Sequence, residues 1–301
     1  MGSNGKTEDN VPELTDLFYL PTLPDAHSSY SESRYVIFGV PFDNTSSYRR
    51  GSRLAPDSIR HAYDNLESFD PWYNVNFPDI PICDLGNLGV GEDAEEVIDT
   101  VQQVGSRLYK DGKIPIMLGG EHSLTSGMVR NIPDAYMVII DAHSDFRDTY
   151  MDSKFNHACI TRRCLEILGK NRISSVGTRS TSQEEKESGL MDQVSFYSAR
   201  YVKKHGIGEV LDQIKENISG PVYFSIDMDG FDPSFAPGVG TPEPYGLSDT
   251  DVRTLINGLG KKIISFDIVE MTPVYDNGNT SMLAAKLIQD FIGSREGTLE
   301  D

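Results

Sequence analysis

The amino-acid sequence predicts an α/β fold built around a mostly parallel β-sheet. Short runs of apolar, largely β-branched residues recur along the chain, and each run is nearly continuous rather than alternating. Continuous apolar runs are typical of strands that are buried on both faces of a parallel sheet. Between the runs lie segments with helical spacing of apolar residues, so that strand and helix alternate about eight times. This alternation is the main reason for the α/β prediction.

Eight apolar runs are the predicted strands. They cover residues 35–40, 80–85, 114–118, 136–140, 172–176, 194–197, 222–226 and 263–269. One predicted helix covers residues 93–109, where apolar side chains return at steps of three and four: Val97, Val101, Val104 and Leu108. Further helices are predicted to begin near Pro56, Ser123, Ser248 and Thr280. Pro56 suits a first helical turn, and Ser248 with Asp251 resembles a capping box that has Asp in place of Glu.

We expect a single domain. Residues 34–294 contain all the predicted strands and helices, with no linker rich in Pro, Gly or Ser and no internal repeat. Residues 1–33 are predicted to form an irregular N-terminal arm, and residues 295–301 an acidic tail. Eight strand–helix units suit both a (β/α)₈ barrel and an open three-layer sandwich, so the count alone leaves both topologies open.

The charge of the chain argues against several classes of partner. Its 301 residues include 27 Lys and Arg against 46 Asp and Glu, which gives a formal net charge of −19. Nucleic-acid binding and polybasic membrane attachment both depend on clustered Lys and Arg, so neither partner is expected. No apolar run approaches the roughly 18–20 residues that span a bilayer, and residues 1–33 lack the apolar core of a secretory signal. Three cysteines are too few for a disulfide framework. We therefore expect a cytoplasmic protein.

Three clusters of acidic residues and histidine directly follow predicted strands. Residues 119–123 are Gly-Gly-Glu-His-Ser, residues 141–145 are Asp-Ala-His-Ser-Asp, and residues 227–233 are Asp-Met-Asp-Gly-Phe-Asp-Pro. Ligands bind beyond the carboxyl ends of parallel strands, so these clusters are expected to converge. Side chains alternate along an extended chain. Asp141, His143 and Asp145 therefore point to one side, as do Asp227 and Asp229.

These five side chains and His122 predict a site for divalent metal ions. Without a compensating positive charge the carboxylates would repel one another. A set of four Asp and two His has no thiolate and favours Mn²⁺ over Zn²⁺, although Co²⁺, Ni²⁺ and Fe²⁺ also suit it. Six ligands are too many for one catalytic ion with an open position, and they suit two ions that share carboxylates. Asp at a strand end often only closes a turn, but that interpretation does not explain the accompanying histidines.

At these residues the sequence resembles the ureohydrolases, the family that contains arginase and agmatinase. The resemblance covers residues 36–292 and includes two further stretches, Gly-Thr-Pro-Glu-Pro-Tyr-Gly-Leu at 240–247 and Phe-Asp-Ile-Val-Glu-Met-Thr-Pro at 266–273. It implies an α/β/α sandwich with an eight-stranded parallel sheet and a binuclear manganese site. Matched position by position, His122 and Asp145 would hold one ion and His143 and Asp229 the other. Asp141 and Asp227 would bridge them.

The resemblance also implies the reaction, which is hydrolysis of a guanidinium group to urea and an amine by a hydroxide that bridges two ions. Asp145 would accept a hydrogen bond from this hydroxide, and Glu270 would align the guanidinium through a charge-assisted contact. His157 occupies the position of the family's proton-shuttle histidine, a task that suits the pKa of an imidazole. Without the resemblance, His157 would be interpreted as a capping or surface residue. His27, His61 and His205 have no predicted role.

The sequence of the loop at residues 146–156 indicates which guanidino compound is the substrate. It lacks the arginase pattern and resembles agmatinase, so agmatine is the predicted substrate, with putrescine and urea as products. Asp148 or Asp152 would attract the terminal ammonium of agmatine, and Asn156, which stands where the family usually has an acid, is also a predicted substrate-binding residue. Arg147 and Lys154 leave guanidinobutyrate, whose distal group is a carboxylate, as an alternative.

Other interpretations have less support. Arginine is a less favoured substrate, and a non-catalytic metal-binding paralogue is opposed by the presence of all six ligand positions together with Glu270 and His157. Deacetylases with a related fold use one zinc ion and a Tyr or His constellation that the sequence does not contain. The family resemblance further implies a homo-oligomer, either a trimer or a hexamer.

Overall fold

The computed structural model describes residues 17–19 and 22–298 of the chain. The strands in this part are β1 (Phe18–Tyr19), β2 (Tyr35–Gly39), β3 (Phe69–Asp70), β4 (Val75–Asn76), β5 (Ile82–Leu88), β6 (Ile114–Leu118), β7 (Tyr136–Ile140), β8 (Ile173–Thr178), β9 (Ser195–Ser198), β10 (Val222–Asp227) and β11 (Ile263–Val269). The helices of four or more residues are α1 (Ala55–Tyr63), α2 (Ala94–Lys110), α3 (Thr125–Val129), α4 (Ile160–Leu168), α5 (Gln183–Glu187), α6 (Ala199–His205), α7 (Ile207–Asn217), α8 (Asp249–Leu259) and α9 (Asn279–Glu296).

Nine of the strands form one open sheet in the order β1-β5-β2-β6-β11-β10-β7-β8-β9. β1 is antiparallel to β5, and the other eight strands are parallel to one another. The parallel strands β6 and β7 are consecutive among the sheet strands but lie apart, because β11 and β10 come between them. The two edges of the sheet are different strands, β1 and β9, so the open sandwich is correct and the barrel is not.

Helices cover both faces of this sheet. Apolar side chains of α1, α7, α8 and α9 pack with one face in a single buried cluster. Those of α2, α3 and α4 pack with the other face in a second cluster. The strands between the two layers are therefore buried on both sides, as Tyr136–Ile140 of β7 shows over its whole length. The predicted three-layer α/β/α fold with a mostly parallel sheet is confirmed.

All eight predicted strands are present, and the differences lie at their ends. β5 begins two residues later than predicted and continues to Leu88, because Asn87 pairs with Gly39 of β2 and with Tyr19 of β1. β1 is a strand that we did not predict, within the segment assigned to the arm. The capping box at the start of α8 is confirmed, since Ser248 and Asp251 exchange hydrogen bonds between side chain and backbone. The limits of the arm, the domain and the tail stay a prediction.

Within residues 17–19 and 22–298, no helix combines the length and the apolar character that crossing a bilayer requires.

A buried ion pair joins α1 to β5. The guanidinium of Arg60 donates through Nε and Nη2 to the two carboxylate oxygens of Asp84, both at 2.8 Å. The Arg60 side chain is 3 % exposed and that of Asp84 0 %. Asp84 also accepts from the backbone nitrogens of Leu23 and Gly86. Removing one partner would leave a buried charge without its counter-ion.

We expect Arg60→Ala to lower the free energy of unfolding by about 3–5 kcal/mol, because the Asp84 carboxylate stays buried without its partner. Denaturant unfolding followed by circular dichroism measures this loss. Arg107→Ala is the matched control, because the Arg107–Asp111 pair also joins an arginine Nε to an aspartate carboxylate, through a single contact of 2.6 Å, but lies on the surface, where ion pairs contribute little. An equal loss in both variants would contradict the prediction.

Candidate metal centre and active site

The candidate site lies beyond the carboxyl ends of four adjacent strands in the middle of the sheet, β6, β11, β10 and β7. His122 follows β6, Glu270 follows β11, Asp227 ends β10, and Asp141 follows β7. In this region β11 and β10 lie between the consecutive strands β6 and β7. Such a change in strand order is a common position for ligand sites in parallel sheets. Gly120 lies so close to the backbone of Phe42 that a Cβ atom there would overlap the Phe42 carbonyl.

One candidate ligand group consists of His122, Asp141, Asp145 and Asp227, and all four residues are buried. The three carboxylates lie close to the imidazole of His122. Its Nδ1 atom lies 3.3 Å from Asp141 Oδ2, 3.3 Å from Asp227 Oδ2 and 3.7 Å from Asp145 Oδ2. Three carboxylate oxygens therefore surround one imidazole nitrogen.

A second candidate group consists of Asp141, His143 and Asp229. The Nδ1 atom of His143 lies 3.0 Å from Asp229 Oδ2 and 3.8 Å from Asp141 Oδ1. Asp141 belongs to both groups, with Oδ2 toward the first and Oδ1 toward the second. The structure thus brings together all six side chains predicted as ligands. Asp227 belongs to the first group only, so its bridging role stays a prediction.

Two buried polar atoms of the first group lack a hydrogen-bond partner within the part of the chain that the structure describes. Among the described residues, neither Nδ1 of His122 nor Oδ2 of Asp141 has a hydrogen-bond partner, although both are buried. Buried polar atoms are normally paired, and cations are suitable partners for atoms of this kind. The donor set of carboxylate oxygens and imidazole nitrogens also fits divalent metal ions. The residues present therefore form a candidate metal-ligand cluster.

The electrostatics of the two groups also favour added positive charge. Burial raises the pKa values of Asp145 and Asp227 well above the usual range for Asp. Burial alone would lower the pKa of His143, but the charge and hydrogen bond of Asp229 together with the charges of Asp141 and Asp145 raise that pKa to about 11. A divalent cation can take the place of protons at such a site, because metal binding displaces protons from its ligands.

A buried hydrogen-bond network that connects β10 and β11 holds the imidazole of His122 in place. Its Nε2 atom lies 3.0 Å from Ser225 Oγ, and Ser225 Oγ donates to Asp267 Oδ1 at 2.6 Å. Asp267 also accepts from the hydroxyls of Thr125 and Tyr223. Such outer partners fix the ring orientation of a ligand histidine and leave its other nitrogen facing the metal. Sequence analysis assigned no role to Ser225 or Asp267.

Glu270 lies at the edge of the ligand groups in a strained backbone conformation. Its φ angle is +61°, and that of Asp145 is +46°, both in the left-handed region that few non-glycine residues adopt. Glu270 Oε1 accepts from the backbone nitrogen of His122 at 2.8 Å, and its own nitrogen donates to the carbonyl of Gly120. Burial raises the pKa of Glu270 to about 8, and the nearby charge of Glu121 adds to this shift. Backbone strain of this kind concentrates at functional sites.

A cavity of about 200 Å³ opens over the candidate ligands. Its wall includes six side chains that sequence analysis had assigned to the site: His143, Asp145, His157, Asp227, Asp229 and Glu270. Arg147, on which the guanidinobutyrate alternative rests, also lies in the wall. The remaining wall is rich in hydroxyl groups, including those of Ser47, Tyr150 and Thr241. Burial lowers the pKa of His157 to about 4, and the nearby positive charge of His143 acts in the same direction. His157 is therefore neutral at pH 7 in this arrangement.

The structure does not bring Asp148 or Asn156 into the cavity wall. The carboxylate of Asp148 lies 2.8 Å from Arg163 Nη2 and 3.6 Å from Arg162 Nε, on the outer side of the loop. Asn156 is buried, and its side-chain oxygen accepts from the backbone nitrogen of Ala158, where it caps the helical turn that contains His157. The substrate-binding roles predicted for these two residues remain untested.

Arg179 contacts the backbone of a candidate ligand, and sequence analysis assigned it no role. Its guanidinium donates to backbone carbonyls that include those of Gly177, Asp229 and Glu243. Burial lowers the pKa of Arg179, although several acidic residues oppose this shift. The side chain therefore joins the ends of β8 and β10 to the 240–247 loop. Only the tertiary structure reveals these contacts, since no local pattern marks the arginine.

Comparison with known proteins identifies the class of protein. Residues 33–293 match the model of the arginase family, and the chain belongs to that family. It is 38 % identical over 268 residues to the N(1)-aminopropylagmatine ureohydrolase of Thermococcus kodakarensis, covering 87 % of this chain and 91 % of that protein. It is 37 % identical over 268 residues to the agmatinase of Pyrococcus horikoshii, covering 87 % and 92 %.

Among solved structures, the agmatine ureohydrolase of Thermoplasma volcanium superimposes with a TM-score of 0.90. It is 57 % identical and covers 94 % of this chain and 97 % of that one. The identification from sequence, an enzyme of the ureohydrolase family that resembles agmatinase, is confirmed.

Proposed function

We propose that this protein is a manganese-dependent agmatinase that hydrolyses agmatine to putrescine and urea. The observation that carries the proposal is the pair of ligand groups that share Asp141 and face a cavity whose wall includes Glu270. A guanidinium group entering this cavity would meet a carboxylate beside a site for two cations. The similarity to proteins named agmatinase and agmatine ureohydrolase supports agmatine as the guanidino compound.

The donor set and the family resemblance support the metal assignment. His122 and Asp145 would hold one Mn²⁺ ion and His143 and Asp229 the other, with Asp141 and Asp227 between them. The oxygen-rich set without cysteine suits Mn²⁺ better than Zn²⁺. When bound, the two metal ions would lower the pKa of a nearby water molecule, so that this water becomes an effective nucleophile at neutral pH.

The protein's own side chains would align the substrate and move protons. Glu270 would accept hydrogen bonds from the guanidinium, and charge-assisted bonds of this type are stronger than neutral ones. Asp145, a member of the first ligand group, would accept a hydrogen bond from the attacking oxygen. This contact would keep a lone pair of that oxygen directed at the guanidinium carbon. His157 lines the same cavity and would give a proton to the departing amine.

Guanidinobutyrate is the second candidate substrate, and Arg147 is the observation that favours it. Arg147 lies in the cavity wall, where a guanidinium would attract a distal carboxylate and repel a distal ammonium. It already pairs with Glu184 at 3.1 Å and lies over the ring of Tyr150, 5.1 Å from the ring centre. The ion pair reduces the net positive charge at the cavity wall, so agmatine remains the preferred candidate.

We expect agmatine to be the best substrate in a panel with N(1)-aminopropylagmatine, guanidinobutyrate and arginine, assayed for urea with the manganese-loaded enzyme. Its kcat/KM is expected to exceed that for arginine by at least about a hundredfold, since unpaired polar groups in a site are costly. Preference for guanidinobutyrate would support the second candidate and a role for Arg147 in binding its carboxylate. Preference for arginine would contradict the agmatinase proposal, and no urea from any compound would indicate a non-catalytic metal-binding protein.

The proposal also covers location and assembly. We propose a cytoplasmic homo-oligomer, either a trimer or a hexamer, that acts on a small guanidino compound. The formal charge of −19 argues against nucleic acid or an anionic membrane as a partner.

A further inference from the structure

We propose that Thr45 is a positioning residue that fixes the tautomer and orientation of His157. This inference rests on the role of His157 in the proposed function. Thr45 lies in the loop between β2 and α1, far from His157 in sequence. Its hydroxyl connects the histidine to a buried carboxylate, that of Glu121, which the proposed mechanism does not otherwise use.

Glu121 holds the Thr45 hydroxyl in one orientation. The Glu121 side chain belongs to a fully buried residue, and its Oε1 atom accepts from Thr45 Oγ1 at 2.6 Å. Its Oε2 atom accepts from the backbone nitrogen of Thr45 at 2.7 Å. Ser123 Oγ donates to the same carboxylate. The single hydrogen of the Thr45 hydroxyl is therefore committed to Glu121.

The oxygen of that hydroxyl then has its two lone pairs free to accept. One accepts from the backbone nitrogen of His157 at 3.1 Å, and the other faces His157 Nδ1 at 3.2 Å. Because the hydroxyl has no second hydrogen to donate, Nδ1 must carry one. His157 is thereby held in the Nδ1–H tautomer, and its Nε2 atom is the nitrogen that can take up and release a proton.

This arrangement suits proton delivery in the proposed reaction. His157 takes up at Nε2 a proton released by the attacking water, and it then gives that proton to the departing amine nitrogen. The imidazole returns to the Nδ1–H form without rotating. Tyr150 packs edge-on against the ring, with centroids 6.1 Å apart and planes at 89°, and limits ring rotation from the other side.

The first test compares Thr45→Val, which keeps the side-chain shape and removes the hydroxyl, with Thr45→Ser, which keeps the hydroxyl. In the manganese-loaded enzyme we expect Thr45→Val to lower kcat about 10- to 100-fold, part of the usual contribution of a proton-transfer group. KM for agmatine and the metal content measured by mass spectrometry are expected to stay unchanged. Thr45→Ser is expected to retain kcat within about threefold. Thr254→Val, which removes a hydroxyl from the exposed face of α8, is the matched control.

A double-mutant cycle shows whether Thr45 acts through His157. In a His157→Ala background, Thr45→Val is expected to cause no further loss of kcat, because the group that it positions is already gone. Equal losses in Thr45→Val and Thr45→Ser, a further loss in the His157→Ala background, or a lower metal content would each overturn the proposal. If Thr45→Val does not fold, Thr45→Ala takes its place in the same comparison.

A spectroscopic measurement separates this inference from the proposed function. The chain has 6 histidines, so ¹⁵N-histidine spectra of the 301-residue protein, loaded with diamagnetic Zn²⁺ in place of paramagnetic Mn²⁺, contain few signals, and His157→Ala assigns those of His157. At pH 7 we expect the Nδ1–H tautomer in the unsubstituted protein and a mixture of tautomers in Thr45→Val. An Nε2–H tautomer in the unsubstituted protein would overturn the inference. This result does not depend on turnover, so it stands even if no guanidino compound is cleaved.

Discussion

His143→Ala is expected to abolish urea release and to lower the metal content of the purified protein. His143 supplies the imidazole of the second ligand group, and without it only carboxylates are left to hold the second ion. Carboxylates with no nitrogen ligand would bind a divalent ion more weakly and leave more of its coordination to water. Turnover is expected to fall by more than about a thousandfold, since the nucleophile depends on both ions.

The measurement combines metal analysis by mass spectrometry with a urea assay at saturating agmatine. His61→Ala is the matched control, because His61 is exposed on α1 and belongs to neither ligand group. The control is expected to keep the metal content and kcat of the unsubstituted enzyme. If the His143→Ala protein released urea at the normal rate with a reduced metal content, that result would contradict the two-metal mechanism.

The sheet and the positions of the ligands could be predicted because both depend on local patterns. Strands covered by helices on both faces must be apolar along their whole length, and this makes them visible as continuous runs, such as residues 136–140. Asp141 and His143 follow that run directly, so their place at the carboxyl edge of the sheet follows from the strand assignment. β1 could not be predicted, because two residues become a strand only through pairing with β5.

Contacts between distant segments could not be predicted in the same way. Ser225 and Asp267 support His122 because they lie opposite each other in the pairing of β10 with β11, and no single-strand pattern reveals that register. Asp148 has a side chain that could face either the cavity or the solvent. Two arginines of α4, Arg162 and Arg163, draw it away from the cavity. The local sequence therefore determines neither the register that brings Ser225 and Asp267 together nor the direction of the Asp148 side chain.

His157→Ala is expected to separate catalysis from metal binding. His157 belongs to neither ligand group, so the metal content is expected to equal that of the unsubstituted enzyme. kcat is expected to fall about 10²- to 10⁴-fold, the usual contribution of a general acid or base. KM is expected to change little, because Glu270 would still bind the guanidinium.

The cavity beside His157 offers a stricter version of this test. Removing the imidazole leaves space within a cavity that already measures about 200 Å³, so free imidazole added to the assay is expected to restore part of kcat in His157→Ala. The same addition is expected to leave His143→Ala inactive, because the loss there is of metal rather than of a proton carrier. A His157→Ala enzyme with the unsubstituted rate would make His157 a structural residue. A fall in metal content would instead indicate that His157 helps to hold the metal ions, although it belongs to neither ligand group.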